Sequence, residues 1–296
     1  MTQPQRATQG ILLTLAYQGG PFHGFVLQSN ARSVAEELLK AAHQCDPHIT
    51  SLRCVSRTDA GVHAYGQLVA FDTNRVIAPR GWVLALNRCL PKEISVRYAA
   101  HVPVGFDPRG YVLQKWYRYS LLRDVRRDPF LDATSWRVYC PLDLELARAE
   151  AHCIVGTHDF AAFRSSSDCR DCTVRTINQV SVYEEASDPR LVVVDVRGSA
   201  FLHNMVRIIV GSLYDVARGQ LPPGTIARAL STGDRRILGV TAPPHGLCLM
   251  SVELEGIPEP AQEWPTSCST NPPRSPRVHD RTKPSQPRLP ALREHP

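Results

Sequence analysis

Arg57-Thr58-Asp59-Ala60-Gly61-Val62-His63-Ala64 lies between two segments that read as strands. Leu52-Arg53-Cys54-Val55-Ser56 precedes it and Gly66-Gln67-Leu68-Val69-Ala70-Phe71 follows, both rich in small and branched residues and free of proline. A carboxylate on a tight loop at a strand end is a good mount for a nucleophile, because the sheet holds it still while its oxygens stay approachable. Asp-x-Gly between strands is equally an ordinary turn, with the Asp side chain accepting a hydrogen bond from nearby backbone. The residues of the loop leave both readings open.

Working outward, residues 11–17 form a strand by composition, closed by Gln18-Gly19-Gly20-Pro21. Ser33-x-x-Glu36 is a capping box, and it opens a helix over 34–45 with Val34, Leu38, Ala41 and Ala42 on one face. Residues 79–89 predict a second helix, with Pro79 in its first turn and Val83, Leu84, Leu86 and Leu90 as its apolar residues. A strand over 94–99 completes the order β-α-β-β-α-β, the ferredoxin-like unit.

The second half repeats that order. Strands are predicted over 116–122, 180–183, 191–196 and 247–254. Helices are predicted over 142–154, with Leu142, Leu146, Ala149 and Cys153 in register, and over 201–218, with Leu202, Met205, Val206, Ile209, Leu213 and Val216 in one stripe. A short helix over 225–230 is expected between the last helix and the last strand.

Two copies of one unit predict an α+β chain of two ferredoxin-like (RRM-like) subdomains, 1–104 and 105–256, with mainly antiparallel sheets side by side. The cleft between them is the natural seat of a large substrate. Ten of the 24 prolines fall in residues 257–296, among Ser, Thr, Arg and Gln, so this tail is expected to be disordered. It reads as an inert extension or as a loose arm that tethers RNA.

The net charge is +6. Six basic against four acidic residues leave +2 in the tail and +4 over 1–256, mildly basic and compatible with a nucleic-acid partner. No apolar run reaches the length of a membrane span, and the polar first ten residues lack the core of a secretory signal. Nine cysteines at scattered spacings predict free thiols in a reducing, cytoplasmic setting. Cys169-x-x-Cys172 has no second Cys-x-x-Cys to complete a four-ligand zinc site, so no metal is expected there.

Arg57 to Ala64 resembles the signature of the tRNA pseudouridine synthase A (TruA-type) family. The likeness continues, in the family's order, through Tyr17 to Gly24, Ser33-Val34, Asn87 with Leu90-Pro91, and Trp116-Tyr117-Arg118-Tyr119. It extends through Gly156-Thr157-His158-Asp159-Phe160, Phe201-Leu202-His203-Asn204-Met205-Val206-Arg207, Gly211-Ser212 and Gly246-Leu247. It spans residues 10–255 and leaves out the tail.

The resemblance implies isomerisation of uridine to pseudouridine in tRNA. The bond from N1 to the ribose is broken, the uracil turns in its pocket, and C5 joins the same ribose carbon. No metal or organic cofactor is implied. Asp59 would be the nucleophile, attacking the sugar or the pyrimidine. Arg207 would be its ion-pair partner, since an unpaired buried carboxylate is costly and has its pKa raised. Taken alone, Arg207 reads as a solvent-facing helix arginine. Tyr117 would stack on the uracil and help to remove the C5 proton. On strand alternation alone, Tyr117 and Tyr119 are same-face packing residues.

The remaining assignments are of the same kind. Leu247 would lie beneath the base, or is a core strand residue. Arg57 would bind phosphate or hold the extruded nucleotide, or makes a local salt bridge at the rim. Arg109 aligns with a family arginine at the substrate, but Asp107-Pro108 stands where His-Ala is usual. Gln18 and Phe25-Val26 are further departures, for Asp and Trp-Gln. His63 reads as a turn histidine satisfied by backbone. The implied partners are tRNA, at about positions 38–40 of the anticodon stem-loop where a stacked uridine must be extruded, and a second copy of the chain in a homodimer. The competing readings are an RNA-binding protein of the same scaffold without turnover, and a nucleoside hydrolase that cleaves without rejoining.

Overall fold

The computed structural model describes residues 7–257. The proline-rich tail lies outside the described residues apart from Ile257. The first repeat grows around β1 (Gln9–Tyr17), which buries Ile11, Leu12, Leu13, Leu15 and Tyr17. β1 pairs antiparallel with β3 (His63–Thr73) on one side and β4 (Ile94–Val102) on the other. The short β2 (Arg53–Cys54) adds to β3, giving the order β4-β1-β3-β2 of a ferredoxin-like unit.

Both helices of this repeat begin and end where the sequence predicts. α1 (Val34–Cys45) is capped by Ser33 Oγ, which accepts from the Glu36 amide at 3.2 Å. α2 (Pro79–Cys89) buries Trp82, Val83 and Leu86, while Leu84 is 55% exposed. Leu84 is therefore not on the core face. Trp82, with the largest apolar area, sets the helix rotation by packing edge-on against Phe71 at 5.1 Å, and this turns position 84 outward.

The second repeat comprises β5 (Val112–Arg123), α3 (Leu144–His152), β8 (Val174–Glu185), β9 (Asp188–Gly198), α4 (Met205–Ala217) and β10 (Leu247–Leu254). Its strand order, β10-β5-β9-β8, is the same permutation. Three elements decorate it. β6 (Trp136–Val138) pairs with β5, β7 (Gly156–Asp159) extends the sheet beyond β8, and α5 (Thr225–Thr232) follows α4. β6 and β7 are too short to announce themselves by period.

The face predicted for α3 is corrected. Ala147, Glu150 and Ala151 are buried, whereas Ala149 and Cys153 are exposed. A glutamate sits on the core face because its carboxylate accepts from the backbone amides of Gly224 and Ile226, the latter at 3.0 Å, and so caps α5. α4 also starts later than predicted, at Met205. Asn204 before it adopts a left-handed conformation, φ 62°, unlike any other non-glycine described.

The two sheets expected side by side are fused. β10 pairs in parallel with β3 at Cys248 with His63 and Leu249 with Ala64. The result is one ten-stranded, mostly antiparallel sheet in the order β4-β1-β3-β10-β5-β9-β8-β7, with β2 and β6 off this path. The loop from Val55 to Val62 leads directly into that seam. No helix among the described residues is long and apolar enough to cross a membrane.

Candidate active site

The Asp59 loop is held from below by buried polar side chains. Gln67 is fully buried and grips Ser56 at both backbone atoms: its Nε2 donates to the Ser56 carbonyl at 2.7 Å and its Oε1 accepts from the Ser56 amide at 3.2 Å. The Tyr17 hydroxyl meets Thr58 Oγ1 at 2.7 Å. The Phe25 amide donates to the Thr58 carbonyl at 3.1 Å, and Gly24, at φ 93°, lets that segment approach, since a Cβ there would lie 2.8 Å from the same oxygen. The Val62 amide closes the turn on the Asp59 carbonyl at 3.1 Å. Asp59 thus rides on a loop whose neighbours on both sides are fixed.

His63 belongs to this scaffold. Its Nδ1 accepts from the Gly19 amide at 3.0 Å, so its Nε2 carries the proton and donates to the His245 carbonyl at 3.0 Å. Burial pushes its pKa down, which keeps it neutral in that bridging role.

The Asp59 side chain faces a cleft of about 620 Å³ that also receives Tyr117, His203, Arg207 and Leu247 from the second repeat. Asp59 Oδ2 lies 3.8 Å from Arg207 Nη1, and Oδ1 lies 3.3 Å from His203 Nε2. Burial pushes the Asp59 carboxyl above the ordinary carboxylate value, against the opposing pull of His203 and Arg207. Arg207 is half-buried rather than solvent-facing. Its Nη1 donates to Asn204 Oδ1 at 2.6 Å and its Nε to the Ala242 carbonyl at 2.7 Å. The left-handed turn at Asn204 frees that amide from helix capping and gives it to the arginine.

The segment carrying Ala242 reaches Arg207 because Gly211 lets it cross α4. A Cβ on Gly211 would sit 1.8 Å from the Val240 carbonyl oxygen. Ser212 Oγ accepts from the Gly239 amide at 3.1 Å, and Asp215 Oδ2 accepts from the Val240 amide at 3.0 Å. The Gly211-Ser212 pair is therefore a docking surface within the chain.

Tyr117 is buried on β5, edge-on to Phe201 at 5.1 Å. Burial pushes its phenol up to about 12, with the Ser56 hydroxyl pulling the other way and the Asp59 charge adding to the rise. Tyr119, on the same face, is fully buried and its hydroxyl donates to the Pro243 carbonyl at 2.8 Å, which makes it a packing residue. Leu247 is buried at the start of β10 and lines the cleft.

Arg57 and Arg109 also line it, but they differ. Arg57 is exposed and makes no ion pair with a described carboxylate. Arg109 is exposed too, and its guanidinium is forked onto Asp107, with Nε 3.0 Å from Oδ1 and 3.1 Å from Oδ2. The Asp107-Pro108 departure thus supplies a local counter-charge to Arg109.

Two residues that sequence reasoning did not single out share the cleft. In the sequence His203 is visible only as part of a longer motif, because the left-handed turn at Asn204, not helical spacing, sets its place beside Asp59. Lys115 donates from Nζ to the Val55 carbonyl at 3.3 Å, and burial pushes its ammonium down to about 8. Cys169 lines the cleft as a free thiol and Cys172 is also free. Among the described residues no group of three or more His, Cys, Asp or Glu is placed to hold a metal ion.

Fold and site together define a duplicated ferredoxin-like scaffold with a carboxylate-bearing cleft at its seam. The family model for tRNA pseudouridine synthase matches residues 151–255. The tRNA pseudouridine synthase A of Geotalea uraniireducens is 40% identical over 242 residues, 82% of this chain and 98% of that one. The protein of the same name from Syntrophotalea carbinolica is 43% identical over 244 residues, 82% of this chain and 95% of that one. The chain belongs to the tRNA pseudouridine synthase A family. A solved Cbf5-Nop10-Gar1 complex overlaps 70% of this chain and 44% of its own at 11% identity and a TM-score of 0.36, too distant to bear on the site.

Proposed function

We propose that this chain isomerises uridine to pseudouridine in tRNA, with Asp59 as the nucleophile. The observation that carries the reading is the Asp59 carboxylate, flanked by His203 and Arg207, facing a cleft that also holds Tyr117. Arg207 offsets the cost of an ionised carboxylate in a partly buried site. Tyr117 offers its ring as a stacking surface for the uracil. At neutral pH its phenol is neutral, so it takes the C5 proton only as its own proton is handed on, and the freed uracil N1, which gains a hydrogen in the product, is the final acceptor. Leu247 supplies apolar contact beneath the base. Arg57, exposed and without an ion pair to a described carboxylate, is suited to a phosphate or to the extruded nucleotide, and Arg109 serves the substrate once its Asp107 contact is exchanged.

The substrate site in this reading is the anticodon stem-loop, at about positions 38–40, where a stacked uridine has to be swung out before Asp59 can reach it. Residues 1–104 bring the nucleophile and residues 105–256 complete the site, so the two halves act as one catalytic unit. A homodimer is the working form: two copies would double the +4 charge of residues 1–256 along one tRNA. The cytoplasm, where that tRNA is found, is the place of action.

Asp59→Ala tests the assignment. Pseudouridine should vanish from a tRNA transcript incubated with the variant, while affinity for the tRNA persists. Modification by the Ala variant would remove Asp59 from its role, and no modification by the unaltered chain would leave an RNA-binding protein without turnover. Mapping the modified positions tests the stem-loop site, light scattering tests the dimer, and cell fractionation tests the compartment.

A further inference from the structure

We infer that His203 is a positioning residue for Asp59, its Nε2–H donating to Oδ1 and aiming the carboxylate into the cleft. The inference rests on Asp59 being the nucleophile. Of the two basic groups beside Asp59, His203 is nearer, at 3.3 Å against 3.8 Å. Arg207 gives one Nη1 hydrogen to Asn204 and Nε to the Ala242 carbonyl, and its approach to Asp59, 3.8 Å, is beyond hydrogen-bond reach. The arginine therefore supplies charge, and the histidine, at 3.3 Å, is the group near enough to donate to the carboxylate.

The ring is itself set for this. His203 Nδ1 lies 3.1 Å from Ser167 Oγ. With the serine hydroxyl donating there, the proton of a neutral imidazole resides on Nε2, the atom that faces Asp59. The backbone of His203 is braced at both ends. Its amide donates to Asp168 Oδ2 at 2.8 Å, and its carbonyl accepts from the Ser165 amide at 3.0 Å. Arg170 in turn forks onto Asp168 and donates from Nη1 to the Phe201 carbonyl at 3.0 Å. Asn204 turns left-handed immediately afterwards, so His203 stays outside α4 and can lean over the Asp59 loop. A merely surface-exposed histidine has no need of this bracing.

The charged and titratable groups around the pair are Arg207 beyond Asp59, Tyr117 from β5, Asp168 with its partner Arg170 behind His203, and Arg57, Arg109, Lys115 and the Cys54 and Cys169 thiols elsewhere in the cleft. Both His203 and Arg207 favour the ionised form of Asp59. Losing the His203 contact shifts protonation of Asp59 to higher pH.

The test uses the full chain and a tRNA transcript, with kcat, KM and their pH profiles measured for His203→Phe, His203→Gln, Ser167→Ala and Asp59→Ala. His203→Phe should lower kcat roughly ten- to hundredfold, the weight of a hydrogen bond to a charged group, with KM within about twofold. Its acid limb should move to higher pH. His203→Gln, whose Nε2 donates from a similar place, should recover kcat to within about threefold and return the acid limb toward wild type. Ser167→Ala should lower kcat less than His203→Phe does, and in the same pH sense.

Wild-type kcat and an unmoved acid limb in His203→Phe, beside an inactive Asp59→Ala, would overturn the inference and leave the proposed function standing. A His203→Gln variant as slow as His203→Phe would overturn it as well, and it decides the matter if the Phe variant does not fold. Activity in Asp59→Ala would instead sink the proposed function itself.

Discussion

Gln67 and Ser56 are joined by two antiparallel hydrogen bonds, side-chain amide to backbone peptide, three residues before Asp59. β3 thereby extends its ladder onto the Asp59 loop through a side chain. Gln67→Leu would leave the buried Ser56 amide and carbonyl unpaired, at a cost of about 2–4 kcal/mol. Denaturant unfolding should show that loss. Turnover at a temperature where the variant is still folded should fall as well, because the loop is released.

Gly211→Ala adds one methyl group 1.8 Å from the Val240 carbonyl oxygen. The crossing segment must move away from α4 and carry the Ala242 carbonyl off Arg207. Overpacking of this kind costs about 1–3 kcal/mol. The variant should therefore be both less stable and slower, and adding tRNA should not restore the rate.

Asp59→Asn should make the protein inactive and more stable. The Asp59 carboxyl is raised in the folded state, so its contribution favours folding at low pH and is lost as pH rises through the folded value. The Asn variant does not titrate there. Its stability relative to wild type should grow with pH across the carboxylate range, and its melting temperature at neutral pH should exceed wild type by a few degrees. For the unaltered enzyme, the acid limb of kcat/KM, which reports the free protein, should lie above the usual carboxylate value of about 4. An acid limb at or below that value would contradict the burial described for Asp59.

Tyr117→Phe keeps the ring against Phe201 and removes the hydroxyl. Affinity for tRNA should be retained while kcat falls by roughly 10²-fold or more, the usual size of a proton-transfer contribution. Equal loss from Tyr117→Phe and Tyr117→Ala would assign everything to the hydroxyl, and no loss from the Phe variant would leave stacking alone.

Glu150→Gln provides the contrast far from the cleft. The buried carboxylate caps α5 through the Gly224 and Ile226 amides. The amide side chain keeps one acceptor, so stability should drop by about 1–2 kcal/mol. The rate of the folded fraction should be unchanged.

Much of the fold was legible because its cues are local. Ser33 and Glu36 mark α1, Pro79 marks α2, and the apolar stripe from Leu202 to Val216 marks α4. The misreadings share a cause: tertiary partners overrode local pattern. Glu150 sits inside because it has two amides to satisfy, and Leu84 sits outside because Trp82 claimed the core. In the site, the loop residues alone left an ordinary turn open, and the resemblance pointed to Asp59, Arg207 and Tyr117. What sequence does not carry is the pairing of His203 with Ser167 and Asp59, since it depends on a single left-handed residue that sets where α4 begins.

The bond between β3 and β10 has a consequence for synthesis. Strands of the first repeat emerge early from the ribosome, yet their neighbour in the sheet, which also brings Leu247 to the cleft, is the last strand of the described residues to be translated. Such a long-range closure makes the sheet slow to finish. A nascent chain stalled before Leu247 would expose the β3 margin and lack a complete pocket, so the growing polypeptide stays chemically silent until β10 has been delivered.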